Sequence, residues 1–268
     1  MTNDRDSYLT APLPIERELS LLFDLDAQIT IFDIGACEGE DAVRYAKLFP
    51  HASVFAVEPV PKNLERIHAT LARYGATDVR VLPFALSDTS TVETMYVSSG
   101  SPPGHSSTED WDYGNKSSSL LSPDAHLAVH PWVRFDSTID VQTRRLDEVC
   151  LEQGIARLDF IHMDVQGAEL MVLEGAGERL ADLTGIWLEV EAVPLYRGQP
   201  LQSDVQVYLE SQGFTLVKDT VGDISGDQLW IRGTLRGTLR RRVRMVMRAW
   251  SRRIRLALEP DGRHRPSA

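Results

Sequence analysis

Short apolar runs alternate with amphipathic stretches along most of this chain. Ile29–Asp33, Ser53–Glu58, Val79–Pro83, Leu158–Met163 and Ile186–Val190 are apolar runs of strand length. Such runs suit strands buried on both faces of a parallel sheet. Between them, apolar residues recur at helical spacing over Gly39–Phe49, stopped by Pro50, over Pro61–Tyr74, closed by Gly75, and over Leu146–Gln153, closed by Gly154. Ile15–Leu25 reads as a helix ahead of the first strand, the stretch after Asp164 as a helix through Leu180, and Leu201–Gln212 as a helix capped by Gly213. Thr91–Val97 and Ser137–Val141 read as further strands, and Phe214–Lys218 and Asp227–Arg232 close the pattern as two strands with no helix between them. The alternation predicts an α/β fold with a mostly parallel sheet and an antiparallel edge. Residues 98–131, rich in Ser, Gly and Pro, break the rhythm. Long irregular segments inside compact domains are usually functional or mobile.

The turn after the first run carries chemistry. ITIFDIGACEGE places Asp33, Gly35, Glu38, Gly39 and Glu40 around the junction of strand and helix, and the second run ends on Glu58 and Pro59, 23 residues beyond Gly35. In open α/β sheets a glycine turn passes under a nucleotide-type ligand, and a carboxylate about 20 residues further on takes the ribose hydroxyls. The spacing here is Gly35-x-x-x-Gly39, not the G-x-G-x-x-G that closes around a pyrophosphate. A looser turn rich in acids suits a cofactor without phosphates and with a cationic sulfonium and amino group: S-adenosylmethionine.

Composition adds boundaries. With 268 residues, 43% of them apolar, the chain can build one large core. Cys37 and Cys150 cannot form a disulfide framework. The start, MTNDRDSYLTAPLP, lacks the basic and apolar regions of a signal peptide, and no apolar run approaches a bilayer span, so a cytoplasmic protein is expected. Charge is divided sharply. Of a net −11, residues 232–268 contribute +10, with twelve Arg against Glu259 and Asp261, and the other 231 residues carry −21. So acidic a body would repel phosphates, which makes nucleic acid an unsuitable substrate for the main domain.

DIGACEGE, VEPVPKNLERI, FALSD, SSSLL, RLDEV, DFIHMDVQGAELMVLEGA and LEVEAVPLYRGQPL occur in this order over roughly residues 28–232. In this the chain resembles the FkbM-like S-adenosylmethionine-dependent methyltransferases, with Asp164, Gly167, Ala168 and Glu169 matching that family's signature. The resemblance implies a Rossmann-like class I methyltransferase fold with a seven-stranded, mostly parallel sheet and an antiparallel edge strand. It also implies O-methylation of hydroxyls on sugars, polyketides or other natural products. The family pattern more often has Lys where this chain has His162, and Glu where it has Gln166.

Ligands in such sheets lie beyond the carboxyl ends of the strands, which assigns expected roles. Asp33 and Gly35 face the methionine half of the cofactor, with Glu38, Gly39 and Glu40 beside them, and Glu58 takes the ribose. The turn Ala85–Asp88 lies by the adenine, Ser87 or Asp88 meeting its amine. Asp164 stands close to the methyl group. His162, Asp164 and Glu191 are the candidate bases for a hydroxyl acceptor, and Glu189 and Glu191 can instead bond to loop amides. SSSLL, with Trp111, Tyr113 and Trp132, reads as a lid on the acceptor side. His105, His126 and His130 lack a compact ligand spacing, so no metal site is expected.

In the tail, Leu235, Leu239, Val243, Val246, Trp250, Ile254 and Leu258 share one helical face, while Arg241, Arg244, Arg248, Arg252 and Arg255 take the other. That pattern describes an interfacial helix on anionic lipid; docking on a partner or RNA, or folding back on the acidic body, would use the same residues. The expected organisation is an extension over residues 1–27, a methyltransferase domain over 28–232 and a basic amphipathic tail over 233–268. The expected activity is methylation of a hydroxyl on a glycan, a lipid-linked saccharide or another natural product. The alternatives are N-methylation of a small molecule or RNA, and a non-catalytic cofactor-binding scaffold.

Overall fold

The computed structural model describes residues 5–108 and 111–234. The expected tail helix lies outside the described residues. The chain opens with two short helices, α1 (Arg5–Thr10) and α2 (Glu16–Leu22), where the apolar spacing predicts one from Ile15 to Leu25. Pro12 and Pro14 separate them, because proline lacks the N–H that a helix interior needs. Then follow β1 (Thr30–Ile34), α3 (Glu40–Leu48), β2 (Ser53–Val57), α4 (Pro61–Tyr74), β3 (Arg80–Leu82), β4 (Ala85–Leu86), β5 (Val92–Gly100), α5 (His126–Val129), β6 (Val133–Arg144), α6 (Leu146–Glu152), β7 (Phe160–Met163), α7 (Glu169–Gly175), β8 (Gly185–Glu191), α8 (Gln202–Ser211), β9 (Phe214–Asp219) and β10 (Ser225–Arg232). The helix expected through Leu180 stops at Gly175, and a 3₁₀ turn covers Gly177–Asp182. Gly175 lies so near the Ser87 carbonyl that a Cβ would fall 2.0 Å from its oxygen. The close approach requires glycine there, and two glycines around Ala176 weaken the helix beyond it.

Seven strands form one sheet in the order β3-β2-β1-β7-β8-β10-β9. The pairings among β3, β2, β1, β7 and β8 are all parallel. β10 runs antiparallel to both β8 and β9. The single antiparallel strand therefore sits next to the edge, and β9, the edge strand, runs with the others. The runs at Thr91–Val97 and Ser137–Val141 do not join this sheet. They lengthen into β5 and β6, which pair antiparallel, and β4 adds to β6 in a second, three-stranded sheet.

The strands bury opposite faces in two cores. Phe32, Ile34, Phe55, Val57, Ile161, Met163, Ile186 and Leu188 pack against α6, α7 and α8. Ile31, Val54, Ala56, Phe160, Trp187 and Leu229 pack against α2, α3 and α4, through Leu19, Tyr45 and Ile67 among others. This alternation explains the continuous apolar runs, since successive strand residues face opposite cores. The N-terminal extension packs onto the sheet layer through α2. Ile15 and Leu19 are fully buried in the second core. The face that carries Ile31, Phe160, Trp187 and Leu229 turns polar toward the strand ends, where Asp33, His162, Glu189 and Asp227 follow on the same side. Among the described residues no helix is long and apolar enough to cross a membrane.

Candidate active site

The turn after β1 is clamped from two sides. The N–H groups of Gly35 and Ala36 both donate to Val57 O at 3.0 Å, and Asp164 N donates to Ile34 O at 3.0 Å. Gly35 adopts φ +81, and a Cβ on it would lie 1.9 Å from Asp164 O. Only glycine lets the ends of β1 and β7 meet this closely. Glu58, at the end of β2, accepts from Cys37 N at 3.0 Å through Oε2 and from Val60 N at 2.8 Å through Oε1. Burial pushes the Glu58 carboxyl up to about 7, against the pull of these hydrogen bonds. Burial also pushes the Cys37 thiol up to about 12, so it is a neutral filler of the turn and not a nucleophile.

A cavity of about 290 Å³ opens above this turn, near the lower end of the range for small-ligand sites. Asp33, Gly35, Glu40, Glu58, Pro59, Ala85, His162 and Asp164 line it as the sequence reading expects. Four other predicted cofactor contacts do not. Glu38 is fully buried away from the cavity, paired with Arg5 and Arg66 and accepting from Asn115 Nδ2 at 2.8 Å. Gly39 precedes α3 and abuts Ile67. Ser87 donates to Asp88 Oδ1 at 3.0 Å, and Asp88 O accepts from Arg145 Nη1 at 2.7 Å, which turns both residues toward α6.

The three candidate bases separate in the same way. Asp164 lines the cavity, and Gln166 Nε2 donates both to Asp164 Oδ1 at 2.7 Å and to Glu189 Oε2 at 2.8 Å. Gln166 holds a left-handed backbone, φ 54, while Tyr196 Oη donates to its side-chain oxygen at 2.8 Å and Ser119 Oγ to its carbonyl at 2.7 Å. His162 also lines the cavity, with Nδ1 3.3 Å from Asp33 Oδ1. Burial opposes its charge, but Asp33, Asp41 and Asp164 outweigh burial and push it up to about 9. It is therefore an imidazolium at neutral pH, with no lone pair to take a proton. Glu191 lies outside the cavity lining. Burial first, then Glu169 and Asp164, push it up to about 9, so it is protonated at neutral pH. Glu189 is likewise raised, chiefly by burial and by Asp164. Glu169 accepts from Val165 N at 3.2 Å and Gly167 N at 3.1 Å, holding the turn that follows Asp164.

Two segments cover the cavity. Residues 5–14 bring Tyr8, Leu13 and Pro14 to its wall. Tyr8 Oη donates to Asp41 Oδ2 at 2.8 Å, and Arg44 holds the strap through Ala11 O and Pro12 O at 3.2 and 2.7 Å. Residues 98–123 contribute Trp111, Asn115, Lys116, Ser118 and Leu120. Tyr8 and Trp111 meet with ring centroids 5.9 Å apart. Glu38 joins both covers to the floor: Arg5 comes from the strap, Asn115 from the insert and Arg66 from α4. Tyr113 and Trp132, grouped with Trp111 in the sequence reading, are not in the lining. Asp227, Trp187 and the strap residues are in the lining but escape the sequence reading. Only Asp227 left a signal there, as a carboxylate opening an apolar strand.

The donor set fits S-adenosylmethionine. Asp33, Glu40, Asp41, Glu58, Asp164 and Asp227 surround the cavity with acceptors, against Arg44, Lys116 and His162 as the basic side chains. Such a wall favours a cationic ligand bearing hydroxyls and disfavours a pyrophosphate. Among the described residues no cluster of three His, Cys, Asp or Glu side chains is placed to hold a metal ion.

The family described as Methyltransferase FkbM domain matches residues 33–216. The 2-O-methyltransferase NoeI of Sinorhizobium fredii is 35% identical over 222 residues, covering 82% of this chain and 86% of that protein. Methyltransferase sdnD of Sordaria araneosa is 26% identical over 201 residues, covering 70% of this chain and 74% of that protein. Among solved structures, the N-terminal domain of EvdMO1 with SAH bound is 14% identical, covers 85% of this chain and 84% of its own, and superposes with a TM-score of 0.42. On the family match and the NoeI identity together, this chain belongs to the FkbM methyltransferase domain family and is an S-adenosylmethionine-dependent methyltransferase.

Proposed function

We propose that the protein transfers the methyl group to a hydroxyl oxygen of a saccharide, with Asp164 as the base. The observation that carries this is the position of Asp164. It ends β7 beside the Gly35 turn and lines the cavity, and Gln166 fixes it. Of the three candidate bases, His162 is already protonated and Glu191 is both protonated and outside the lining.

The cofactor supplies an electrophilic methyl carbon on a cationic sulfur, which leaves with the bonding pair. What the chain must add is orientation of the acceptor oxygen and removal of its proton, and the proton passes to the Asp164 carboxylate. Glu58 and Asp33 hold the donor's polar groups from the floor, and Gln166, through its two N–H bonds, keeps Asp164 and Glu189 from turning away. The relative NoeI, a 2-O-methyltransferase, supports oxygen as the receiving atom.

The test is direct. Purified protein, S-adenosylmethionine and a panel of methyl pyranosides and small amines are incubated, and products are read by mass spectrometry and NMR. Transfer to a pyranoside oxygen is expected. Transfer only to amines would replace this reading with N-methylation.

A further inference from the structure

Two buried polar atoms in residues 98–123 have no hydrogen-bond partner among the described residues. Trp111 is 9% exposed and Asn115 is 8% exposed, and both line the cavity. Trp111 Nε1 and Asn115 Oδ1 have no hydrogen-bond partner among the described residues. Buried polar atoms are almost always paired, so an unpaired donor and an unpaired acceptor in one cavity wall point to something that enters it.

Neither atom can escape by rotation. Asn115 Nδ2 donates to Glu38 Oε1 at 2.8 Å and to Asn63 Oδ1 at 2.9 Å. Flipping the amide would set its oxygen against two other oxygens, so Oδ1 is held on the opposite side. Lys116 Nζ lies 4.5 Å from the Trp111 ring centroid, and the Tyr8 ring packs at 5.9 Å. The Trp111 main chain bonds to Thr108 in both directions, at 3.0 and 2.7 Å. What remains for a ligand is its N–H edge.

We infer that Trp111 Nε1 and Asn115 Oδ1 form the acceptor subsite and read a pair of neighbouring hydroxyls on the sugar ring, one accepting from the indole and one donating to the amide. A hydroxyl is the common group that can do either, and a vicinal diol does both at once. This rests on the saccharide reading above and deepens it. The methylated hydroxyl then faces Asp164 from the floor while its neighbours are held from the cover.

Trp111→Phe keeps a ring in place and removes only the N–H. Wild type and variant are assayed on methyl α-D-glucopyranoside, -mannopyranoside and -galactopyranoside and on their single-deoxy counterparts, with S-adenosylhomocysteine titrated by calorimetry in parallel. The variant is expected to raise KM about tenfold for the preferred glycoside, with kcat and S-adenosylhomocysteine affinity unchanged. One deoxy position should carry a similar penalty in wild type and none in the variant. The wild-type deoxy series reads the same contact if the variant fails to fold. A loss of S-adenosylhomocysteine affinity would assign Trp111 to the donor and overturn the inference, as would an unchanged KM, which leaves water as the partner. Wild type that methylates no glycoside would instead sink the saccharide reading, and this subsite with it.

Discussion

The floor of the cavity comes from strand ends that are neighbours in the sheet, whereas its cover comes from segments far apart in sequence. Gly35, Glu58 and Asp164 reach the floor because β2, β1 and β7 lie side by side and end on the same edge. Tyr8 and Trp111 reach the cover from residues 5–14 and 98–123, and meet through their rings and through the buried Glu38. The floor is fixed by main-chain hydrogen bonds that any buried parallel sheet supplies. The cover depends on individual side chains. On the proposed function, the floor takes the methyl donor and the cover takes the acceptor.

Perturbing each part separately sharpens that division. The largest effect is expected on the floor at the reacting centre. Asp164→Asn should lower kcat by about 10²–10⁴-fold, the range for a positioned base, while S-adenosylhomocysteine binds as before. Stopped-time assays with labelled donor measure it, and an active Asp164→Asn enzyme would move the base elsewhere.

Next in size is the latch between floor and cover. Glu38→Gln leaves the buried Arg5 and the half-buried Arg66 short of their shared counter-charge, which should destabilise the fold by about 2–3 kcal/mol, somewhat below a wholly buried pair because Arg66 is partly solvated, Arg5 keeps Glu40 at 3.4 Å and Arg66 keeps Asp112 at 3.2 Å. Urea unfolding gives the number. Hydrogen exchange should speed up in residues 5–14 first. A loss spread evenly over the sheet would show that Glu38 serves the core and not the cover.

The smallest expected effect is a titration on the floor. Glu58 is held up to about 7 by burial; in the role proposed for it, its ionised form is the better acceptor for the ribose hydroxyls. Binding therefore favours deprotonation, and S-adenosylhomocysteine affinity should rise with pH and level off above pH 7. Between about pH 8 and 6 the fall should be about tenfold, following the protonated fraction. Affinity flat across that window would mean that the carboxyl is already ionised throughout.

The same division explains what the sequence discloses. β1, α3, β2, α4, β7 and β8 are readable because each buried strand is one apolar run and each helix has a proline or glycine at its boundary. Asp33, Gly35, Glu58 and Asp164 are readable as polar or glycine residues that interrupt those runs at their ends. Glu38 misleads because an acid in a cofactor turn looks like a ligand contact until Arg5 and Arg66, 33 and 28 residues away, are seen to neutralise it. Ser87 and Asp88 follow the right strand but turn back toward Arg145. His162 and Glu191 look like bases until neighbouring carboxylates, acting against burial at His162 and with it at Glu191, fix both in the protonated form. Tyr8 gives no signal, since α1 is only six residues long and has too few apolar positions to show a period.

The most direct test compares floor and cover in one binding measurement. S-adenosylhomocysteine is titrated by calorimetry into wild type, Glu58→Ala and Trp111→Phe at pH 8. The account predicts that Glu58→Ala weakens binding by about 1.5–3 kcal/mol, as for a hydrogen bond to a charged group, and that Trp111→Phe leaves it unchanged. Undiminished affinity in Glu58→Ala together with a loss in Trp111→Phe would contradict the division of the cavity.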